Sequence, residues 1–416
     1  MRDHCCVSSA SSVSPRMSSL STSLRHIVPE NSSTTTIAAF RRVPCCVDGR
    51  KLVSRNARRR APGLRADEKR WGNVKAVTSP DNDGPMTATG RSNVPILSGS
   101  EVVERLKAFH ENRTGEQNYS AMYSSIFGGI TTDSAAMVIP MDDHMVHRGH
   151  GVFDTAAIMD GHLYELDQHL DRFLRSASMA KIQLPFDRST IRSILVQTVS
   201  ASKCMQGSLR YWLSPGPGDF LLSPSGCPNP ALYAIVIEGS SLPVCSGVKV
   251  ITSSIPMKSQ QFAVMKNVNY LPNALSKMEA EENGAFAAIW LDDEGFVAEG
   301  PNMNVAFVTA DKELLMPYFN KVLSGCTAKR VLSLAEELVA DGRLGGIKLR
   351  NITVREGKTA EEMMLIGSGI VVKPVLQWDD HVIGAGEEGP VAQALFELIL
   401  DDMKYGPPSV RTSVPY

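Results

Sequence analysis

Met265-Lys266-Asn267-Val268-Asn269-Tyr270-Leu271-Pro272-Asn273 is the stretch on which the rest of the chain turns. Its lysine follows the apolar pair Val264-Met265 and precedes a helix that the spacing predicts over 272–283, with Pro272 in the opening turn and Gly284 as the stop. An ammonium held away from water is disfavoured, and the free amine becomes a nucleophile toward an aldehyde. Most isolated lysines keep their charge in solvent instead, so Lys266 alone decides nothing.

Beyond that helix, apolar runs at 286–291 and 296–298 flank Asp292-Asp293-Glu294-Gly295, a hairpin signature. Glu299-Gly300 closes it, and a tight polar turn, Pro301-Asn302-Met303-Asn304, leads into a strand over 304–309. A carboxylate at a strand end faces either a ligand or, more commonly, solvent. Gly325-Cys326-Thr327 opens the next helix, which Thr327 is expected to cap and which runs through 340 with Val331, Leu334, Ala335 and Leu338 on one face. Free N–H groups at such a start, with a hydroxyl beside them, suit a phosphate as well as an ordinary cap. A Gly367-Ser368-Gly369 turn and a last helix over 391–403 follow.

Toward the N-terminus, 248–255 reads as a strand and 238–247 as a loop. Before it come strands at 209–213 and 232–237, helices over 167–180 and 189–200, and strands at 136–139 and 151–159. A first helix is expected over 101–109. The reading is a mixed α+β chain in two domains, a smaller α/β domain over 119–240 and a larger one over 241–416. A helical extension (76–118) and a leader with linker (1–75) precede them.

Five motifs in this order resemble the fold-type IV pyridoxal-phosphate family of aminotransferases. That family includes branched-chain and D-amino-acid transaminases and aminodeoxychorismate lyases. The Lys266 stretch resembles its Schiff-base lysine segment, and Glu299-Gly300-x-x-x-Asn304 its cofactor-nitrogen motif. His169-Leu170-Asp171-Arg172-Phe173 resembles the helix whose arginine grips the cofactor phosphate, Leu323-Ser324-Gly325-Cys326-Thr327 the second phosphate loop, and Gly149-x-Gly151-Val152-Phe153 an early active-site turn. The resemblance covers about 135–385 and is nearest to the plant plastid branch.

The resemblance implies a homodimer with pyridoxal 5'-phosphate in an interdomain cleft and a pseudo-barrel sheet in the larger domain. Lys266 would hold the cofactor and move a proton, and Glu299 would pair with its ring nitrogen. Arg172, Gly325, Cys326, Thr327, Ser368 and Gly369 would hold its phosphate. Two activities stay open: transamination of D-amino acids with a 2-oxo acid (2-oxoglutarate or pyruvate), the favoured one, and lysis of aminodeoxychorismate to 4-aminobenzoate and pyruvate in folate synthesis. Thr155 matches a threonine that the lyases place beside the cofactor. The bacterial transaminases trap the substrate carboxylate with a tyrosine and a mid-chain Arg and His. Here Val146 replaces the tyrosine and the loop Gly216-Pro217-Gly218-Asp219-Phe220 has neither cation, leaving His147, Arg148 and His150 as candidates.

Composition limits what else the chain could be. It is 43% hydrophobic and 21% charged, ordinary for a globular protein, and no apolar run approaches a membrane span. The net charge of −1 hides a split: of 43 basic and 44 acidic residues, eleven and three lie in 1–60, leaving 32 and 41 in the acidic body. An Arg- and Ser-rich head on an acidic body is the composition of an organelle transit peptide, here read as plastid, rather than a nucleic-acid-binding arm. Of eight cysteines, Cys5, Cys6, Cys45 and Cys46 would leave with the leader. The other four lack metal-ligand spacing, so neither a metal nor a structural disulfide is expected.

Overall fold

A computed structural model describes residues 94–112, 118–239 and 243–416, and the expected leader lies outside them. Residues from Arg91 onward form one compact unit built on two sheets.

The first sheet is antiparallel and has seven strands. Its central strands, Val152–Met159, Gly207–Ser214 and Ala231–Glu238, pair side by side. Strand periodicity of two splits each into faces. In Val152–Met159 the side chains of Val152, Asp154, Ala156 and Ile158 are buried, while Phe153, Thr155 and Ala157 look the other way. The buried face is covered by helix Leu166–Met179, through Leu170, Phe173 and Ala177, and by helix Arg188–Ser202, through Ile191, Leu195 and Val199. Spacings of three and four keep those residues on one helical face, and each large one contributes about 1.5–3 kcal/mol of burial.

Nine strands make the second sheet. Met303–Val308, Glu362–Gly367 and Val371–Trp378 form its antiparallel centre. Val248–Thr252 adds in parallel, as does Ala287–Ile289 beyond it. One face packs on helices Cys326–Ala340 and Pro390–Tyr405, through Val331, Leu338, Leu395 and Ile399. The other buries Phe307, Leu365 and Trp378.

Three expectations need correction. The run 136–139 is no strand: a single 3-10 turn, Ser134–Ala136, is fixed by Asp133 accepting from the Ala135 N–H. The strand read over 248–255 stops at Thr252, opposite Ile289, where the neighbouring strand Ala287–Ile289 ends. Thr327 does not cap its helix; Gly325 is the N-cap, and a Cβ there would run into Asn304. The chain's last strand, Arg411–Ser413, returns to the first sheet and pairs with His162–Tyr164.

Candidate active site

Between the two sheets lies a cavity of about 950 Å³. Phe153, Thr155, Ser208 and Arg210 line it from the first sheet, and Glu299, Asn302, Ser368 and Gly369 from the turns at the edge of the second.

Lys266 sits half-buried on its wall because the main chain around it is tied down on both sides. Its N–H donates to Ser176 Oγ at 3.2 Å, and its carbonyl accepts from the Phe153 N–H at 2.9 Å. Val268 N–H adds a bond to the Gly151 carbonyl at 3.0 Å. The segment is thus stitched to the start of Val152–Met159, which no local pattern announces. Its Nζ lies 4.9 Å from the centroid of the Phe153 ring. Burial, and the Arg172 charge next, push the amine down to about 8.

Glu299 is 7% exposed, and its Oε2 accepts from the Leu323 N–H at 3.1 Å. The pairing of Glu299 with Asn304 brings the Asn304 amide to within 3.5 Å of the same oxygen. Burial raises this carboxyl to about 7. A buried carboxylate with spare acceptor capacity fits a cationic ring N–H.

Arg172 projects from the helix face that also carries His169 and Ser176. Its Nε and Nη2 grip Asp154 at 2.9 and 2.7 Å, and Nη1 donates to the Ser324 carbonyl at 3.2 Å. His169 Nδ1 lies 2.9 Å from the same carboxylate. Although burial opposes it, Arg172 and His169 hold Asp154 far below the usual carboxylate range. Stranding that buried carboxylate by removing Arg172 would cost about 3–5 kcal/mol. Beside this cluster, Gly325, Cys326 and Thr327 start the 15-residue helix, and Thr327 Oγ1 lies 3.1 Å from Ser368 Oγ. A guanidinium, two hydroxyls and a helix N-terminus make an anion cradle.

Thr155 also faces the cavity, directly across from Arg210 in the ladder, and its hydroxyl accepts from Arg210 Nε at 3.2 Å. His147, Arg148 and His150 do not reach this cavity. Strand Val152–Met159 offers the cleft positions 153, 155 and 157, and these three residues precede it. His147 packs on the Phe220 ring at 4.8 Å, and Arg148 donates to the Phe220 and Leu221 carbonyls. His150 meets His144 and the Ala180 carbonyl. Beyond the expected Lys266 and Arg172, the cations that line the cavity are Arg210, Lys258 and Lys277, with the Lys258 Nζ 4.8 Å over the Tyr270 ring. Arg210 left one trace, a charge alternating with Leu209 and Tyr211 in an otherwise apolar strand.

Residues 151–378 match the model of the family described as amino-transferase class IV. The chain belongs to that family. It is 66% identical over 325 residues to a D-amino-acid transaminase, chloroplastic, of Arabidopsis thaliana, spanning 78% of this chain and 86% of that protein. A D-alanine aminotransferase of Bacillus licheniformis is 27% identical over 272 residues, 64% of this chain and 93% of that one. Among solved structures, a T.th. branched-chain amino acid aminotransferase complexed with N-(5'-phosphopyridoxyl)-L-glutamate superposes with a TM-score of 0.66 at 25% identity, covering 72% of this chain and 99% of that one. As a class IV amino-transferase the chain is an enzyme, and its mixed α/β, two-sheet build is that of the family.

Proposed function

We propose that the chain transaminates D-amino acids, passing the amino group through pyridoxal 5'-phosphate to a 2-oxo acid, 2-oxoglutarate or pyruvate. The observation that carries this is the 66% identity to the Arabidopsis thaliana D-amino-acid transaminase along 78% of the chain. The cavity's donor set fits the cofactor: a low-pKa amine, a buried carboxylate and an anion cradle. When bound, the cofactor supplies an electron sink for the carbon that carries the amine.

The chain's own residues do the rest. Lys266 is the attachment point and moves the proton at the substrate carbon. Glu299 keeps the ring nitrogen protonated. Arg172, the N–H groups of Gly325–Thr327, and Ser368 with Gly369 hold the phosphate. Arg210, without a carboxylate partner among the described ion pairs, takes the substrate carboxylate in place of His147, Arg148 and His150. The lyase reading is not carried forward, since the 66% identical relative is named a transaminase. Two domains divided near 240, and a homodimer, belong to the same reading; sedimentation of the purified enzyme reads the assembly. Incubation with D-alanine and 2-oxoglutarate, against L-alanine as control, tests the activity. No pyruvate from D-alanine, or equal turnover of L-alanine, would sink it.

The Lys266 amine gives a pH signature. Only its neutral form captures an aldehyde, so with a value of about 8 the capture rate should rise tenfold per unit below pH 7 and level off above about 8. A rate still climbing at pH 10, as for an ordinary lysine near 10.4, would contradict the geometry. Stopped-flow mixing of the cofactor-free chain with pyridoxal phosphate reads it.

The plastid assignment rests on the basic, Ser-rich head and on the name of the Arabidopsis thaliana relative. Fused to a fluorescent protein, residues 1–75 should be imported into plastids. Cytosolic or nuclear fluorescence would refute the assignment.

A further inference from the structure

Helix Leu166–Met179 carries three buried polar residues on one stripe, at positions 169, 172 and 176. Two of them, His169 and Arg172, hold Asp154. The third, Ser176, is 1% exposed and takes no part in that cluster. A hydroxyl so deeply buried needs partners. Ser176 has two. Its Oγ–H donates to the Arg172 carbonyl at 2.9 Å, one turn back, which leaves its lone pairs for a donor outside the helix. That donor is the Lys266 N–H, at 3.2 Å. Among the described residues this N–H has no other acceptor.

These contacts close a ring. The Lys266 N–H goes to Ser176, the Ser176 hydroxyl to the Arg172 carbonyl, and the Arg172 guanidinium to Asp154. Asp154 follows Phe153 in strand Val152–Met159, and the Phe153 N–H returns to the Lys266 carbonyl at 2.9 Å. The N–H of the lysine is thus fixed by the helix and its carbonyl by the strand, while Arg172 and Asp154 clamp helix and strand together. Lys266 lies in irregular chain between helices Gln260–Ala263 and Leu271–Glu282, so its main-chain groups find partners one at a time rather than in a ladder. In this ring the Ser176 hydroxyl alone joins the lysine to the helix.

We propose that Ser176 is a positioning residue, whose hydroxyl sets where the Lys266 main chain stands and so how the amine meets water and the carbon whose proton it moves. This rests on the reading of Lys266 as the residue that moves that proton. Tied through its carbonyl alone, the segment gains freedom to shift, and a displacement of about 1 Å near reacting atoms costs up to roughly 100-fold in rate. The charged and titratable groups around the amine, Arg172, Asp154, Glu299, Cys326 and Lys258, are the same with or without the hydroxyl. A changed titration of the amine on removing it therefore reports place and hydration, not charge.

The test is Ser176→Ala, with Ser176→Thr as the conservative variant, since a threonine hydroxyl also bonds back along a helix. The cofactor-free, full-length chain is methylated with formaldehyde and cyanoborohydride across a pH series, and labelling at 266 is read by peptide mass. In Ser176→Ala the half-labelling pH should rise from about 8 toward the ordinary lysine value of about 10.4, and Ser176→Thr should bring it back. In the loaded enzyme kcat for D-alanine should fall about tenfold or more in Ser176→Ala, with KM held within about twofold. An unchanged half-labelling pH in Ser176→Ala, a loss carried by KM, or a threonine variant that behaves as the alanine one overturns the proposal. Hydrogen exchange in the wild type needs no variant to fold. The Lys266 amide should exchange at least about tenfold more slowly than an open chain, and exchange at the open-chain rate overturns the proposal too. Borohydride mapping that finds the cofactor on another lysine refutes the reading of Lys266 instead, while labelling and exchange at 266 decide the tether by the same criteria.

Discussion

Lys266→Ala is expected to abolish transamination, by about 10⁴-fold or more, and to remove the visible absorbance of cofactor held covalently. Three lysines line the cavity, so the assignment is a choice among rivals. Lys277 is already engaged elsewhere, donating to the Phe286 carbonyl at 2.7 Å and pairing with Glu281 at 3.2 Å. Lys258 is lowered by burial as well, yet its Nζ lies over the Tyr270 ring and it draws Glu299 as a counter-charge. Lys266 alone combines an amine brought down to about 8 with a main chain pinned through Ser176, Phe153 and Gly151. Reduction of the holoenzyme with borohydride, followed by peptide mapping, should find the cofactor on the 266 peptide. Label on Lys258 or Lys277, or a coloured and active Lys266→Ala protein, would move the attachment point.

The parts of this site legible in the sequence are those written in consecutive residues. Lys266 with Asn269–Asn273, Glu299-Gly300 and Gly325–Thr327 are each a local turn or helix start, so their neighbours in sequence are also their neighbours in space. Arg172 was readable because a helix repeats every three or four residues and puts His169 beside it. What stayed hidden depends on pairing. Arg210 meets Thr155 only because the two strands are in a particular register, and a shift of one residue would turn both side chains to the opposite face. Asp154 likewise carries no mark of its role until Arg172 and His169 arrive from another element. His147, Arg148 and His150 crowd a short stretch, but crowding in sequence is not convergence in space, and none of them lines the cavity. Gly149, at φ +63°, ends the small helix His144–Arg148 and hands the chain on to the strand.

Arg210→Met is expected to lower kcat/KM for D-alanine roughly 100-fold, mostly through KM, while cofactor absorbance stays intact. The reasoning begins with the ladder. Residue 210 stands on the cavity face of strand Gly207–Ser214, flanked on the core side by fully buried Leu209 and Tyr211. Its Nε is fixed on Thr155 Oγ1, which leaves both Nη groups for a ligand. A guanidinium held by one edge presents the fork that matches a carboxylate. Charge-assisted hydrogen bonds of this kind contribute about 1.5–3 kcal/mol, which corresponds to roughly ten- to 150-fold in affinity. Methionine keeps much of the length and the apolar stem, so the strand should pack as before. Arg210→Lys should recover only part of the loss, since an ammonium keeps the charge but not the fork. Thr155→Val frees the guanidinium without removing it, and should cost a few fold at most. Steady-state kinetics on the three variants, each checked for cofactor occupancy, decides the matter. If Arg210→Met leaves KM for D-alanine unchanged, the carboxylate binds elsewhere in the cavity, and Lys258 becomes the residue to replace next.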